Sequence, residues 1–272
     1  MELSFINGQA GHLLPVADRG LQYGDGLFET ILCLDGAAQR FELHWERLRA
    51  GCARLAIALP EIRAELHAAI ADAALPRAVA KLIVTRGSSA RGYACPAAVA
   101  PNWILTIAAA PSPDPARYRD GIALMTCHTR LPHDRLLAGM KHLNRLHQVL
   151  ARAELGEQVQ DGVMLDQQGS VIEGVLSNLF LVQRGRVLTP DLSQCGVCGI
   201  LRGEVMAACR TLGLALEVRA VAPHELLDAD EVFVTNVLGG VVPVRSIDGR
   251  DIPRGPVARQ LREQLCHQDA LA

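Results

Sequence analysis

Lysine is nearly absent from this chain. Of its 27 lysine and arginine residues only Lys81 and Lys141 are lysine. The net charge is −2, so no basic surplus draws nucleic acid or an anionic membrane, and a small-molecule partner is expected. No uncharged apolar run is long enough to span a bilayer. The start, MELSFINGQAG, lacks the basic-then-apolar pattern of a signal peptide. A cytoplasmic protein is the expectation. There is no GxxxxGK[ST] phosphate loop, no GxSxG elbow and no HExxH zinc motif. The GxG in YGDGLFE has no third glycine.

Cysteines stand at positions 33, 52, 95, 127, 195, 198, 209 and 266. Most sit in apolar runs and read as small hydrophobes. Cys195 and Cys198 form a CxxC, but no second pair or nearby histidines follow at ligand spacing. A metal site is not expected, and a redox role for the pair stays open.

Half of the 272 residues are hydrophobic, enough for one large or two modest domains. The Asp-Gly in LFETILCLDGAAQRFELH predicts a strand, a turn and a second strand. LHWERLRAGCARLAI carries Leu43, Leu48, Cys52 and Leu55 at helical spacing. EIRAELHAAIADAAL reads as a second helix, AVAKLIVTRG and NWILTIAAA as strands. The prolines of APSPDPARYRDG predict a linker over 110–120, dividing a domain at 1–109 from one at 121–272. Beyond it come a strand (IALMTCH), a helix (NRLHQVLARAEL) and short strands with glycine turns (161–190). LRGEVMAACRTLGL is read as a helix, ALEVRAV and DEVFVTN as strands, and PVARQLREQL as a closing helix. Helices and strands do not alternate strictly, so the class is α+β.

The scarcity of lysine gives the two survivors meaning. A guanidinium cannot shed its proton in a protein, whereas a lysine amine can. Imine chemistry therefore needs lysine. Lys141 follows the small, apolar Ala138-Gly139-Met140. If it carries an imine, pyridoxal phosphate is the economical cofactor, and it needs a carboxylate at its ring nitrogen and a phosphate clamp. Glu173 in GSVIEGVLSN offers the carboxylate. Arg47 and Arg49 in HWERLRAG offer the clamp, with the amides of Ile200 and Leu201 at a helix start.

In order along the chain, DRGLQYGDGLFETI, HWERL, GMKHLNRL, VIEGVLSNLFLV, GVCGILR and ADEVFVTN resemble the fold-type IV pyridoxal-phosphate enzymes. That family includes branched-chain and D-amino-acid aminotransferases and 4-amino-4-deoxychorismate lyase. The resemblance implies a smaller N-terminal α/β domain and a larger C-terminal mixed α/β domain, the cofactor between them, in a homodimer. It makes Lys141 the cofactor lysine, Glu173 the partner of the ring nitrogen, and Arg47 rather than Arg49 the phosphate arginine. Ile200, Leu201, Asn236 and Val237 would surround phosphate and substrate. GMKHLNRL, Thr30 and Asn236 look most like the lyase members. Lys81 and Arg91 match positions where those members bind the carboxylates of a dicarboxylate substrate. The implied activity removes pyruvate from aminodeoxychorismate to give 4-aminobenzoate for folate synthesis. Lys141 would serve as anchor and base, and Thr30 would help protonate the leaving group. An aminotransferase of the same fold is the alternative.

Overall fold

The computed structural model describes residues 2–95, 99–110 and 112–269, without the side chains of 266–269. The expectations for Pro111 and for the Cys266 thiol lie outside the described residues. The chain divides into two compact units, one of Met1–Ser112 with Met140–Asn144 and one of Pro113–Gly139 with Arg145–Ala272.

The first unit holds β1 (Glu2–Ile6), β2 (Gln9–Ala10), α1 (Arg19–Tyr23), β3 (Gly26–Leu34), β4 (Ala37–Ala38), α2 (Phe41–Leu55), α3 (Arg63–Asp72), β5 (Arg77–Thr85) and β6 (Asn102–Ala109). Its strands form one antiparallel sheet in the order β2-β1-β6-β5-β3-β4. Asp35 and Gly36 make the turn, both at positive φ. The second hairpin strand is only two residues long, because Phe41 already begins α2. Within α2 the inward residues are Phe41, His44, Trp45, Leu48 and Cys52. Leu43, expected inside, is 44% exposed, since Trp45 and His44 take the buried stripe.

Side chains alternate across β3. Leu27, Glu29, Ile31 and Cys33 are buried, on the face against which α2 packs. Phe28 and Thr30 therefore point to the opposite face. Thr30 pairs directly with Lys81 on β5, so Lys81 shares that face.

The motif DRGLQYGDG has a physical reading here. Asp18 caps α1 by accepting from the Leu21 amide, and it also receives Thr85 Oγ1 at 2.7 Å and Asn102 Nδ2 at 2.8 Å. A Cβ on Gly20 would lie 2.3 Å from Thr85 Cγ2. Gly24 closes the helix at φ +68°, a conformation that suits glycine.

The second unit contains α4 (Ala116–Arg119), β7 (Ile122–Leu131), α5 (Leu146–Glu154), β8 (Asp161–Asp166), β9 (Val171–Gly174), β10 (Asn178–Gln183), β11 (Arg186–Pro190), α6 (Ile200–Thr211), β12 (Leu216–Arg219), α7 (Pro223–Leu227), β13 (Glu231–Asn236), β14 (Gly240–Ile247), β15 (Arg250–Asp251) and α8 (Val257–Asp269). The short α4 lies within the stretch expected to be a structureless linker. The sheet runs β12-β11-β10-β13-β14-β7-β8-β9, with β15 on β14, and it is mixed: three of its pairings are parallel. Its central strands are buried on both faces, hence their unbroken apolar runs. Leu179 and Leu181 join a core with Val232, Val234 and Val242. Phe180 and Val182 face the other way, against Leu201 and Val205 of α6 and Leu261 of α8. Phe180 and Phe233 are cross-strand partners with rings stacked at 5.0 Å.

Candidate active site

In the first unit the segment around Lys141 is an added rung on β3. The Phe28 amide donates to the Lys141 carbonyl at 2.9 Å, and the Leu143 amide to the Gly26 carbonyl at 3.0 Å. This pairing places Met140–Asn144 in the first unit, although in sequence they follow the linker. A Cβ on Gly26 would sit 2.5 Å from the Val84 carbonyl and 2.8 Å from Leu143 Cδ1, so glycine is what lets the rung approach.

The two lysines converge. Lys141 Nζ lies 4.4 Å, and Lys81 Nζ 5.5 Å, from the centroid of the Phe28 ring. A cation near an aromatic face is attracted by the ring's quadrupole. Phe28, which sequence reasoning passed over, thus gathers both ammonium groups, with Thr30 two residues along on the same face.

Behind that face lies a buried ionic cluster that was also missed. Glu29 is 1% exposed. Its Oε1 accepts from Arg47 Nε at 2.8 Å, and its Oε2 from Arg47 Nη2 at 2.5 Å and His44 Nδ1 at 2.6 Å. Burial alone would raise its pKa, but the hydrogen bonds from His44 and Arg47 and the Arg47 charge outweigh it and hold the carboxyl below the usual range. The fork of Arg47 is therefore turned on Glu29. A charged residue at an inward position of the apolar strand LFETILCL was the signal available in sequence. Arg49 instead pairs with Glu46 on the solvated side of α2.

Arg91 is exposed, on the loop between β5 and β6. That loop is latched by Arg19, 3% exposed, whose Nη1 reaches Ser89 Oγ at 3.1 Å and the Gly92 carbonyl at 3.0 Å. Asp25 takes Arg19 Nε and Arg86 Nε, each at 2.8 Å.

In the second unit Glu173 is buried on β9 and accepts from the Val197 amide at 2.8 Å and Gln148 Nε2 at 3.3 Å. A Cβ on Gly196 would meet Ile172 Cγ2 at 2.8 Å and approach Glu173 Oε2 to 3.4 Å, so glycine keeps that space clear. Three residues after Val197, α6 begins. Its N-cap is Gly199, which offers no side-chain cap. The Ile200 and Leu201 amides thus form a positive helix end. Asn178 fixes the approach: its Oδ1 accepts from the Gly199 amide at 3.1 Å and its Nδ2 donates to the Val197 carbonyl at 2.9 Å. Asn178 pairs with Thr235 on β13, next to Asn236 and Val237. Glu173, Ile200, Leu201, Asn236 and Val237 thus belong to one connected end of this sheet.

Cys195 is buried and Cys198 exposed, both as free thiols. Burial pushes Cys195 up to about 12, which makes it a poor nucleophile.

The first unit thus carries an amine over an aromatic ring, and the second a buried carboxylate and an uncapped helix end. The comparisons with known proteins supply the class. The family model for amino-transferase class IV matches residues 26–247. The aminodeoxychorismate lyase of Vibrio harveyi is 36% identical over 96% of this chain and 98% of its own. The crystal structure of 4-amino-4-deoxychorismate lyase from Pseudomonas aeruginosa superposes with a TM-score of 0.94 at 45% identity, covering 97% of this chain and 98% of that one. The D-alanine aminotransferase of Bacillus licheniformis is 31% identical over 93% of this chain and 90% of its own. The chain belongs to the aminotransferase class IV family, with its fold-type IV architecture and its pyridoxal 5'-phosphate cofactor. The residues present fit that group: the clearing beside Glu173 at Gly196 and the uncapped amides of α6 suit a ring and an anion.

Proposed function

We propose that this protein is a 4-amino-4-deoxychorismate lyase, releasing pyruvate from aminodeoxychorismate to leave 4-aminobenzoate, the aromatic precursor for folate synthesis. The observation that carries this is the grouping of Lys141, Lys81 and Thr30 around Phe28, in a chain so similar over its full length to two such lyases.

Lys141 would hold the cofactor through its amine, Glu173 would meet the ring nitrogen, and Ile200, Leu201 and Val237 would meet the phosphate. Arg47, fixed by Glu29, would add positive charge there. When bound, pyridoxal phosphate supplies an electron sink next to the substrate nitrogen. The chain's own residues do the rest. Once the substrate's own amine has taken its place, the freed Lys141 amine takes the proton from C4 of the substrate. The bond from C3 to the enolpyruvyl oxygen breaks, and the ring becomes aromatic. The departing enolpyruvate gains a proton at its methylene carbon, helped by the Thr30 hydroxyl, and leaves as pyruvate. Lys81, Arg91 and Asn236 hold the substrate carboxylates.

We also infer a cytoplasmic homodimer. Helix α5 leaves Leu146, Val149 and Leu150 on one face, each more than half exposed, which is costly without a partner. The seven thiols among the described side chains are all free, as a reducing compartment keeps them. No helix among the described residues is long and apolar enough to cross a membrane.

The test supplies aminodeoxychorismate and measures both products. Equal pyruvate and 4-aminobenzoate are expected. Transfer of an amino group between D-alanine and a 2-oxo acid, with no 4-aminobenzoate, would overturn the lyase assignment in favour of an aminotransferase. Lys141→Arg should lose the cofactor's long-wavelength absorbance while circular dichroism stays unchanged. A surviving band would transfer the anchor role to Lys81.

A further inference from the structure

Among the described residues Arg117 has no counter-ion. It lies on the short α4, in the segment that sequence reasoning treated as linker. Its Nε is buried with no hydrogen-bond partner. Its guanidinium carbon lies 5.8 Å from the centroid of the Tyr118 ring. It forms no ion pair among the described residues. Neighbouring arginines are provided for: Arg119 pairs with Asp120, Arg245 donates to the Gly121 carbonyl and Arg254 to the Arg119 carbonyl. An unmet buried guanidinium N–H costs free energy unless a ligand meets it.

The surroundings are made of donors. Arg117 stands against the turn after β13. There Asn236 Oδ1 accepts from the Leu238 amide at 3.1 Å and the Gly239 amide at 2.7 Å. With its oxygen committed to those two amides, Asn236 has only its Nδ2 protons left to offer a ligand. Tyr118 secures the turn by donating to the Gly239 carbonyl at 2.9 Å. A Cβ on Gly239 would lie 3.2 Å from Arg117 Nη2 and 3.3 Å from Asn236 Oδ1. Glycine at 239 therefore leaves no side chain between the guanidinium and the amide. A charged fork and an amide that both donate, with no carboxylate among the described residues paired to either, suit an anionic oxygen group.

We propose that Arg117 and Asn236 together form an anion-binding site that takes a carboxylate or a phosphate of the bound ligands. Arg117 adds a cation from the second unit that neither the sequence motifs nor the family pattern supplied. The carboxylate form rests on the lyase reading; the phosphate form rests only on the cofactor.

The test uses Arg117→Gln and Arg117→Lys, with Arg262→Gln as control, since Arg262 is the other guanidinium over Tyr118. One arm titrates cofactor-free protein with pyridoxal phosphate and reads bound cofactor by absorbance. The second measures KM and kcat of the holoenzyme on aminodeoxychorismate. Arg117→Gln should weaken one arm by about tenfold to a hundredfold, the range for losing a charged hydrogen bond. Arg117→Lys should recover part of the loss, and Arg262→Gln should change neither. A weaker cofactor titration identifies the anion as phosphate; a raised KM with kcat held identifies it as carboxylate. If both arms stay within threefold of the parent for Arg117→Gln, the proposal is overturned. The same holds if Arg262→Gln causes equal losses, for the effect would then be packing around Tyr118. A parent protein that binds cofactor but does not turn over aminodeoxychorismate rejects the lyase reading alone, and the cofactor arm then decides this one.

Discussion

Replacing Arg47 by alanine should expose how the first unit holds its buried charge. Glu29 is 1% exposed and takes three hydrogen bonds, two from Arg47 and one from His44. Arg47→Ala leaves a desolvated carboxylate with His44 alone. Breaking one side of a buried ion pair costs about 3–5 kcal/mol. At about 2–4 °C per kcal/mol for a chain of this size, the unfolding midpoint should fall by roughly 6–20 °C. The measurement is thermal unfolding of cofactor-free protein followed by circular dichroism.

The pH dependence has a definite sign. The folded-state pKa of Glu29 is depressed, so its contribution is present above the ordinary glutamate value of 4.5 and is lost as pH falls through the lower folded value. Without Arg47 burial dominates, the carboxyl is pushed upward, and the variant's loss should shrink as the group protonates in mild acid. A destabilisation below about 1 kcal/mol, typical of exposed pairs, would refute the burial argument. The same protein tests the phosphate role. If Arg47 serves the cofactor as well as the fold, Arg47→Ala should weaken pyridoxal phosphate binding more than Glu29→Gln does.

Two further outcomes concern the second unit. Gly199→Ala would put a Cβ 2.1 Å from Asn178 Oδ1, so it should displace that side chain, unsettle the start of α6 and weaken cofactor binding about tenfold, read by titration. Iodoacetamide at pH 8 should alkylate Cys95 and Cys198, which are exposed, before Cys33, Cys52, Cys127, Cys195 and Cys209, which are buried. Peptide mass mapping reads this, and fast labelling of Cys195 would contradict its upward-shifted thiol.

Some of this was legible because local chemistry determines it. The helical spacing in HWERLRAG, the Asp-Gly turn at 35–36 and the long apolar runs of the second sheet follow from residue periodicity. The two lysines stood out by composition alone, which left them level; the surrounding motifs singled out Lys141 for the proposed anchor role. The misses are equally instructive. Leu43 fits the helical stripe by spacing, yet it is exposed, because which stripe is buried depends on the partner surface. The strand expected over Phe41–His44 is helix, since two residues sufficed to close the hairpin. Glu29 marked itself only as a charge at an inward strand position; that Arg47 and His44 meet it follows from the packing of α2.

The sequence by itself determined most element types, the α+β class and which two side chains could form an imine, because these depend on backbone preference and side-chain chemistry. Only the tertiary structure decided which charges meet. It brought Lys81 and Lys141, sixty residues apart, over one phenylalanine ring, turned Arg47 toward Glu29, and left Arg117 near Asn236 with no ion pair among the described residues. Such pairings depend on strand register and on how helices pack against sheets, which set distances between residues far apart along the chain.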